Sequence, residues 1–206
     1  MASAALQACS PFRGLTAETE GAEVSVADRD GVGIATIQAR RGRRDDLAAT
    51  IRRIYNVDLP QGPYRTRCEA LAIAGTGPNT WLATCEDGCE KIATMLREAV
   101  GDAAAVVDQS GGLAVLRLGG PRIRDVLAKG VTIDLHEREF KIGAVAVTAI
   151  AHIGTTIWRI EDSPDGSPAF EVLMFRSMAL SFWHWLETSS AEFGLKVLPH
   201  DLGSEK

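Results

Sequence analysis

The side chains best suited to chemistry in this sequence are histidines and cysteines, and their spacing does not form a metal site. Residues 136–140, His-Glu-Arg-Glu-Phe, begin like the HExxH zinc motif, but Phe140 stands where the second histidine is required one helical turn on. Cys85 and Cys89 have three residues between them, and no second pair completes a tetrahedral set of ligands. The sequence therefore predicts no metal ligands on this chain.

Motifs for phosphate binding and nucleophilic catalysis are also incomplete. Glycines at 31–33 and 75–77 do not complete GxGxxG, and we interpret both as turns. Residues 119–121, Gly-Gly-Pro, join a predicted strand to a helix, but no Gly-Lys-Ser/Thr follows and the proline lacks an N–H donor. The sequence contains no GxSxG element. Adjacent acidic residues such as those at 161–162 are too common at strand ends to identify a general acid and a general base. We predict no catalytic and no cofactor-binding residue.

A cluster of four arginines is a candidate for contact with another protein. Arg40, Arg41, Arg43 and Arg44 lie within five residues of a chain that carries 22 basic and 27 acidic side chains, a net charge of -5. Such a run is most often a solvated loop, and the alternative is a contact with an acidic partner. The overall acidity argues against nucleic acid as that partner.

The tryptophan-rich segment 177–194 supplies a second candidate. Its apolar residues recur at helical spacing, and Trp183 lies on this stripe. Trp185 lies about 200° further round the helix, on the side that also carries Leu180 and His184. Exposing a tryptophan side chain to solvent is energetically unfavourable. Either another element of the same domain or a partner protein therefore covers Trp185.

Composition and boundary signals predict one globular domain. With 206 residues, 46% hydrophobic and 24% charged, the chain has an ordinary composition, and charges interrupt every run long enough to span a bilayer. Residues 1–10 lack the features of a secretory signal, so we expect a cytoplasmic protein with free thiols and no membrane contact. We expect an N-terminal arm at 1–22, a domain at 23–199 and a tail at 200–206.

Helical and strand patterns predict an α+β fold. Four helices are expected to begin near the following residues, which serve as acidic, capping or first-turn signals: Asp45, Asp87 (with Glu90), Pro121 and Ser177. Strands are expected at 23–27, 32–38, 68–74, 80–85, 104–109, 113–118, 143–151, 154–160 and 169–175. In order, these elements give β-α-β-β-α-β, and nearly repeat it with one extra strand. We therefore predict two similar halves, about 23–110 and 111–199, sharing one core.

Two longer segments resemble the gamma subunit family of heterotetrameric sarcosine oxidase. They are Leu113–Gly130 (LAVLRLGGPRIRDVLAKG), continued by Ile133–His136, and Phe175–Leu186 (FRSMALSFWHWL), continued by Glu192–Gly194. Asn79–Leu82 and Ala151–Ile153 add to the similarity, which covers about residues 65–197. This family is similar in fold to the folate-binding domain of aminomethyltransferases.

The resemblance implies a role without an active site on this chain. A complex of alpha, beta, gamma and delta subunits would oxidatively demethylate sarcosine with oxygen, giving glycine, hydrogen peroxide and a one-carbon unit for tetrahydrofolate. FAD, FMN, NAD, tetrahydrofolate and zinc would lie on the sister subunits, with no cofactor on this one. The alternatives are a self-standing folate-dependent protein of the aminomethyltransferase kind, the equivalent subunit of a complex acting on another N-methylated amino acid, and a small-molecule sensor domain.

Overall fold

A computed structural model describes residues 9–86 and 91–199. The predicted arm and tail therefore fall partly outside the description, as do Cys89 and the capping pair Asp87 and Glu90. The helices of the described residues are α1 (Arg44–Tyr55), α2 (Ile92–Val100), α3 (Ile123–Ala128) and α4 (Ala179–Ser190). Their strands are β1 (Val24–Asp28), β2 (Gly33–Ala39), β3 (Arg65–Cys68), β4 (Leu71–Gly77), β5 (Thr80–Cys85), β6 (Ala104–Asp108), β7 (Leu113–Gly119), β8 (Val145–Ile150), β9 (Ile153–Ile160), β10 (Ala169–Phe175) and β11 (Leu195–Val197).

The strands form two sheets, and each sheet carries two helices on one face. The five-stranded sheet has the order β3-β4-β5-β2-β6, with every pairing antiparallel. Leu47, Ile51 and Leu96 bring α1 and α2 into its apolar core. The six-stranded sheet has the order β11-β1-β7-β10-β9-β8, and α3 and α4 pack on it through a second core that contains Val126 and Phe182.

The two sheets repeat one arrangement, which confirms the predicted α+β fold of two similar halves. The series β2-α1-β3-β4-β5-α2-β6 corresponds element by element to β7-α3-β8-β9-β10-α4-β11. The spatial order of corresponding strands is also the same, except that β1 lies between β7 and β11 in the second sheet. Strand β1 thus comes from the first chain half, 23–110, but pairs within the sheet of the second.

A third apolar cluster lies between the sheets, and it is the core that the two halves share. Ile34 and Leu82 of the five-stranded sheet meet Val115, Trp158 and Leu173 of the six-stranded sheet. The molecule therefore has four layers, helices outside and sheets inside, with two helix–sheet cores added to the predicted shared one.

Several local predictions need correction. Strands β3 and β11 were not predicted, and Ser177 does not cap α4, because the helix begins after Met178 and no side chain caps it. Cys9 and Cys68 are free, as expected, but Cys85 is disulfide-bonded. No helix of the described residues has the length and apolarity needed to cross a membrane.

The described part of the N-terminal arm lies on its own domain. Phe12 is 5% exposed and belongs to the core beneath α3 and α4. Glu18 forms an isolated bridge with Lys196, and the Val197 amide donates to the Ala17 carbonyl. The arm from residue 9 onward is thus bound to the edge of the six-stranded sheet.

Candidate interaction surfaces and the ionic network between the sheets

Helix α4 places its two tryptophans differently, as the helical period predicts. Ala179, Phe182 and Leu186 lie on one stripe and are fully buried against the six-stranded sheet. Trp183 extends this stripe and is 4% exposed. Trp183 is therefore a core residue, since burial of this stripe is what holds α4 to the sheet.

Trp185 is partly covered by its own chain. Its ring lies 5.4 Å from that of Phe182, centroid to centroid, at a tilt of 56°. The ring also packs on Gly130, where a Cβ atom would stand only 2.6 Å from the indole. The glycine at 130 is thus required for this close approach, and the rest of the Trp185 side chain is partly exposed.

Leu180 and His184 form the outward face of α4. Leu180 is 52% exposed, and His184 is exposed one turn further along the helix. Trp185 adjoins them at intermediate exposure. The three predicted residues therefore lie on the same helix, two open to solvent and one half-covered.

The basic cluster lies in the loop between β2 and the first turn of α1. Arg43 pairs with Asp46 at 2.5 Å, and the guanidinium of Arg44 lies 5.8 Å from the Trp81 ring centroid. Arg40 and Arg41 are exposed beside them. Two of the four predicted arginines thus make contacts within the chain, and the other two point to solvent at the same corner.

The residues of the incomplete zinc and phosphate motifs have structural roles. Residues 136–140 include a turn rather than a helix, and Phe140 is buried against Phe170. At Gly120 a Cβ atom would lie 2.3 Å from the Glu23 carbonyl oxygen, so this glycine permits a close backbone contact. Among the residues that the structure describes, no three His, Cys, Asp or Glu side chains gather as metal ligands would.

Sequence reasoning missed a buried ionic network centred on Glu171. This carboxylate lies on β10 between the sheets, and its side chain is 6% exposed. It accepts hydrogen bonds from the Trp158 indole at 2.8 Å and from Nη2 of Arg117 at 2.9 Å. Both donors belong to strands that flank β10, so they fix the carboxylate within the six-stranded sheet.

The network crosses to the other sheet through two more arginines. Arg65 of β3 approaches Glu171 at 3.9 Å and lies over the Trp158 ring at 5.4 Å from its centroid. Arg29, just after β1, lies 3.7 Å from Glu171 and 3.0 Å from Glu86, which follows β5. One buried carboxylate thus gathers cations from both sheets.

The pKa of Glu171 reflects this setting. Burial raises the pKa of a carboxyl group, but Arg65, Arg117 and the hydrogen bonds from Arg117 and Trp158 outweigh that effect, so the pKa of Glu171 is lowered. Burial also lowers the pKa of Arg65, against the opposing attraction of Glu171. The lowered pKa favours the ionised carboxylate, which pairs with arginines of both sheets.

One sequence signal could have located the network. Residues 169–175 read Ala-Phe-Glu-Val-Leu-Met-Phe, a strand with a single charge in an apolar run. A buried parallel or central strand does not keep a charge unless partners satisfy it. Glu171 could thus have been singled out, although its arginine partners could not, since even Arg117 is 54 residues away along the chain.

Comparison with known proteins agrees with this architecture. The model of the sarcosine oxidase gamma subunit family matches residues 42–192. Sarcosine oxidase subunit gamma of Corynebacterium sp. strain U-96 is 28% identical over 195 residues, covering 89% of this chain and 90% of that protein. The Arthrobacter subunit gamma is 29% identical over 179 residues, covering 85% and 83%.

Solved structures give the same result at the level of the fold. A chain of heterotetrameric sarcosine oxidase from Corynebacterium sp. U-96, in complex with pyrrole 2-carboxylate, superposes with a TM-score of 0.76 at 25% identity, covering 97% of this chain and 98% of that one. Glycine cleavage system aminomethyltransferase T from Bartonella henselae superposes at 0.62 with 14% identity, covering 86% and 48%. The second likeness shows the shared fold that the sequence predicted. Since the family model spans most of the domain and the relatives match nearly end to end, the chain belongs to the sarcosine oxidase gamma subunit family.

Proposed function

We propose that this chain is the accessory, non-catalytic gamma subunit of a heterotetrameric sarcosine oxidase. The observation that carries the proposal is the full-length correspondence with one chain of such an assembly, 97% of this chain against 98% of that one. The matched chain is one of the chains of a heterotetrameric enzyme, and we propose that the remaining parts of the enzyme lie on other chains. The four-layer fold then serves as a rigid body against which those chains pack.

The complex would carry out the chemistry on its other subunits. Sarcosine would be demethylated oxidatively to glycine, with oxygen reduced to hydrogen peroxide and the one-carbon unit passed to tetrahydrofolate. FAD, FMN, NAD, tetrahydrofolate and zinc are proposed for the alpha, beta and delta subunits, in the cytoplasm. On this chain the space between the sheets is taken up by Trp158, Leu173 and the Glu171 network. We therefore propose no catalytic role for its residues.

Two surfaces are proposed to face the partners. The outward face of α4 presents Leu180 and His184 beside the open part of Trp185, an apolar and aromatic group of the kind enriched at interface centres. The loop with Arg40 and Arg41, next to the internally paired Arg43 and Arg44, would meet acidic side chains. The two surfaces belong to different sheets, the α4 face to the six-stranded sheet and the arginine loop to the five-stranded sheet.

Co-expression tests the proposal. The chain, tagged and co-expressed with the alpha, beta and delta subunits of its host, is expected to bring down a complex of equal stoichiometry that contains flavin and oxidises sarcosine. The chain alone is expected to be colourless and inactive. A complex of alpha, beta and delta that is complete, stable and fully active, and that never retains this chain, would contradict the proposal.

A comparison of substrates distinguishes a sarcosine oxidase from an oxidase of another N-methylated amino acid. If the complex forms but oxidises another N-methylated amino acid at a higher kcat/KM than sarcosine, the chain is a gamma-type subunit of a different oxidase. Sarcosine is expected to be the better substrate. Folate-dependent methyl transfer by the single chain is not expected, since the aminomethyltransferase likeness covers only 48% of that enzyme and shows the fold alone.

A further inference from the structure

The turn of the β8–β9 hairpin is built from residues that its backbone conformation does not favour. Ile150 pairs with Ile153, so Ala151 and His152 form a loop of two residues. Their φ angles are 49° and 68°, both in the left-handed region. Hairpin loops of this kind favour Asn-Gly or Asp-Gly. Glycine adopts a positive φ freely, whereas alanine and histidine do so at a cost.

The corresponding hairpin of the other half shows that the fold does not require two such residues. Cys68 of β3 pairs with Leu71 of β4, so Glu69 and Ala70 form the equivalent loop. Of these two residues, only Glu69 has a positive φ, at 49°. The left-handed conformation of His152 is therefore particular to the β8–β9 hairpin.

No contact within the described part of the chain explains the histidine. The His152 side chain is exposed, and it makes no hydrogen bond, ion pair or ring contact with any residue that the structure describes. The Ala151 amide donates to the Gly130 carbonyl at 3.1 Å, but this backbone bond does not depend on which side chain follows. Residues that break a local preference without a gain inside the fold are found at functional sites. His152 is therefore a candidate for a role outside its own chain.

The loop adjoins the surface around Trp185. A Cβ atom on Gly130 would stand 2.6 Å from the Trp185 ring and 3.1 Å from the Ala151 amide nitrogen. Gly130 thus lies between the ring and the loop, and His152 follows Ala151 directly. The hairpin loop and the outward face of α4 therefore form one continuous surface.

We infer that His152 is a contact residue between this chain and another subunit of the oxidase. The inference rests on the proposed function, because it requires that the chain work inside a hetero-complex. An imidazole N–H of His152 donates to an oxygen acceptor on the partner, and apolar side chains of the partner cover the exposed part of Trp185. The tight turn holds the histidine in one backbone conformation before contact, so little loop entropy is lost on binding. The partner surface is amphipathic, with an oxygen acceptor beside an apolar patch.

Removing the side chain while favouring the turn tests the inference. His152→Gly is expected to leave the Tm of the isolated full-length chain at or above that of the unchanged chain, because glycine suits the left-handed backbone. Co-expressed with tagged alpha, beta and delta subunits, the same variant is expected to be recovered about tenfold less, equivalent to 1.4 kcal/mol. A purely structural role would not lower assembly while the Tm is kept.

Glu69→Gly is the matched control. Glu69 is also exposed and left-handed, and it lies in the corresponding hairpin of the other half. This variant is expected to assemble as the unchanged chain does. If His152→Gly lowers the Tm, His152→Asp replaces it, because aspartate also tolerates the left-handed region and its carboxylate has no N–H to donate.

The remaining outcomes separate the inference from the proposed function. Recovery of the folded His152 variant at the level of the unchanged chain would overturn the inference, as would an equal loss in Glu69→Gly. Self-association of the unchanged chain in light scattering, abolished by His152→Gly, would assign the loop to a second copy and also overturn it. If the unchanged chain fails to join the other subunits, the proposed function itself falls, and the inference falls with it.

Discussion

Replacing Glu171 by glutamine is predicted to destabilise the fold far more than the loss of an ordinary ion pair. Glutamine has nearly the same shape, so the change removes charge and leaves packing in place. Arg65 and Arg29, with side chains 9% and 7% exposed, would then remain between the sheets with Glu86 as the nearest remaining carboxylate of the network. Stranding buried cations in this way costs about 3–5 kcal/mol.

The expected shift is large relative to the stability of a domain. Natural domains have free energies of unfolding of about 5–15 kcal/mol. At this size a loss of 1 kcal/mol in that free energy lowers the Tm by about 2–4 °C, so Glu171→Gln should lower the Tm by roughly 6–20 °C. Thermal unfolding of the isolated chain, followed by circular dichroism, measures it. Glu192→Gln is the control, because Glu192 is 60% exposed and its pair with Lys129 should contribute less than about 1 kcal/mol. Equal Tm losses in the two variants would show that the network does not clamp the sheets.

Three further predictions concern α4 and acid stability. Trp183→Ala should lower the free energy of unfolding by about 3–5 kcal/mol in melting experiments. Trp185→Ala should lower it less and should instead reduce recovery in a pull-down with the sister subunits. Equal Tm losses would show that both tryptophans are core residues. Gly130→Ala should lower the free energy of unfolding by about 1–3 kcal/mol, because the added Cβ atom would meet the Trp185 ring. The loss should be much smaller when Trp185→Ala is already present, and a double-mutant cycle measures this difference. The lowered pKa of Glu171 means that its stabilisation is fully present above the ordinary value of 4.5 and is lost as the pH falls through the lower pKa of the folded state. The unchanged chain should therefore lose more stability on acidification below that ordinary value than Glu171→Gln does, and parallel acid titrations that coincide would contradict this.

The regular elements could be predicted from the sequence because their apolar residues repeat with a clear period. Strand 80–85 has the predicted bounds, and the α4 stripe that contains Phe182 and Leu186 is buried as expected. Strand β3 was missed because Arg65–Cys68 reads Arg-Thr-Arg-Cys and lies at a sheet edge, where no alternation is imposed. Strand β11 has only three residues, too few to show a pattern.

Features that depend on distant pairing could not be predicted. Nothing local in Val24–Asp28 indicates that this strand leaves its own half and inserts between β7 and β11. The partners of Glu171 come from four other parts of the chain: Arg117 and Trp158 meet it when their strands pair with β10, and Arg65 meets it only when the two sheets stack.

The central claim, that this chain works as a subunit and not as an enzyme on its own, is tested most directly by the mass of the complex that it enters. Native mass spectrometry of the tagged chain, co-expressed with the alpha, beta and delta subunits of its host, should show one copy of each of four chains, and this complex should oxidise sarcosine. The isolated chain should have neither flavin absorbance nor turnover. A chain that remains alone beside a complete and active complex of the other three, or that oxidises sarcosine unaided, would contradict the account.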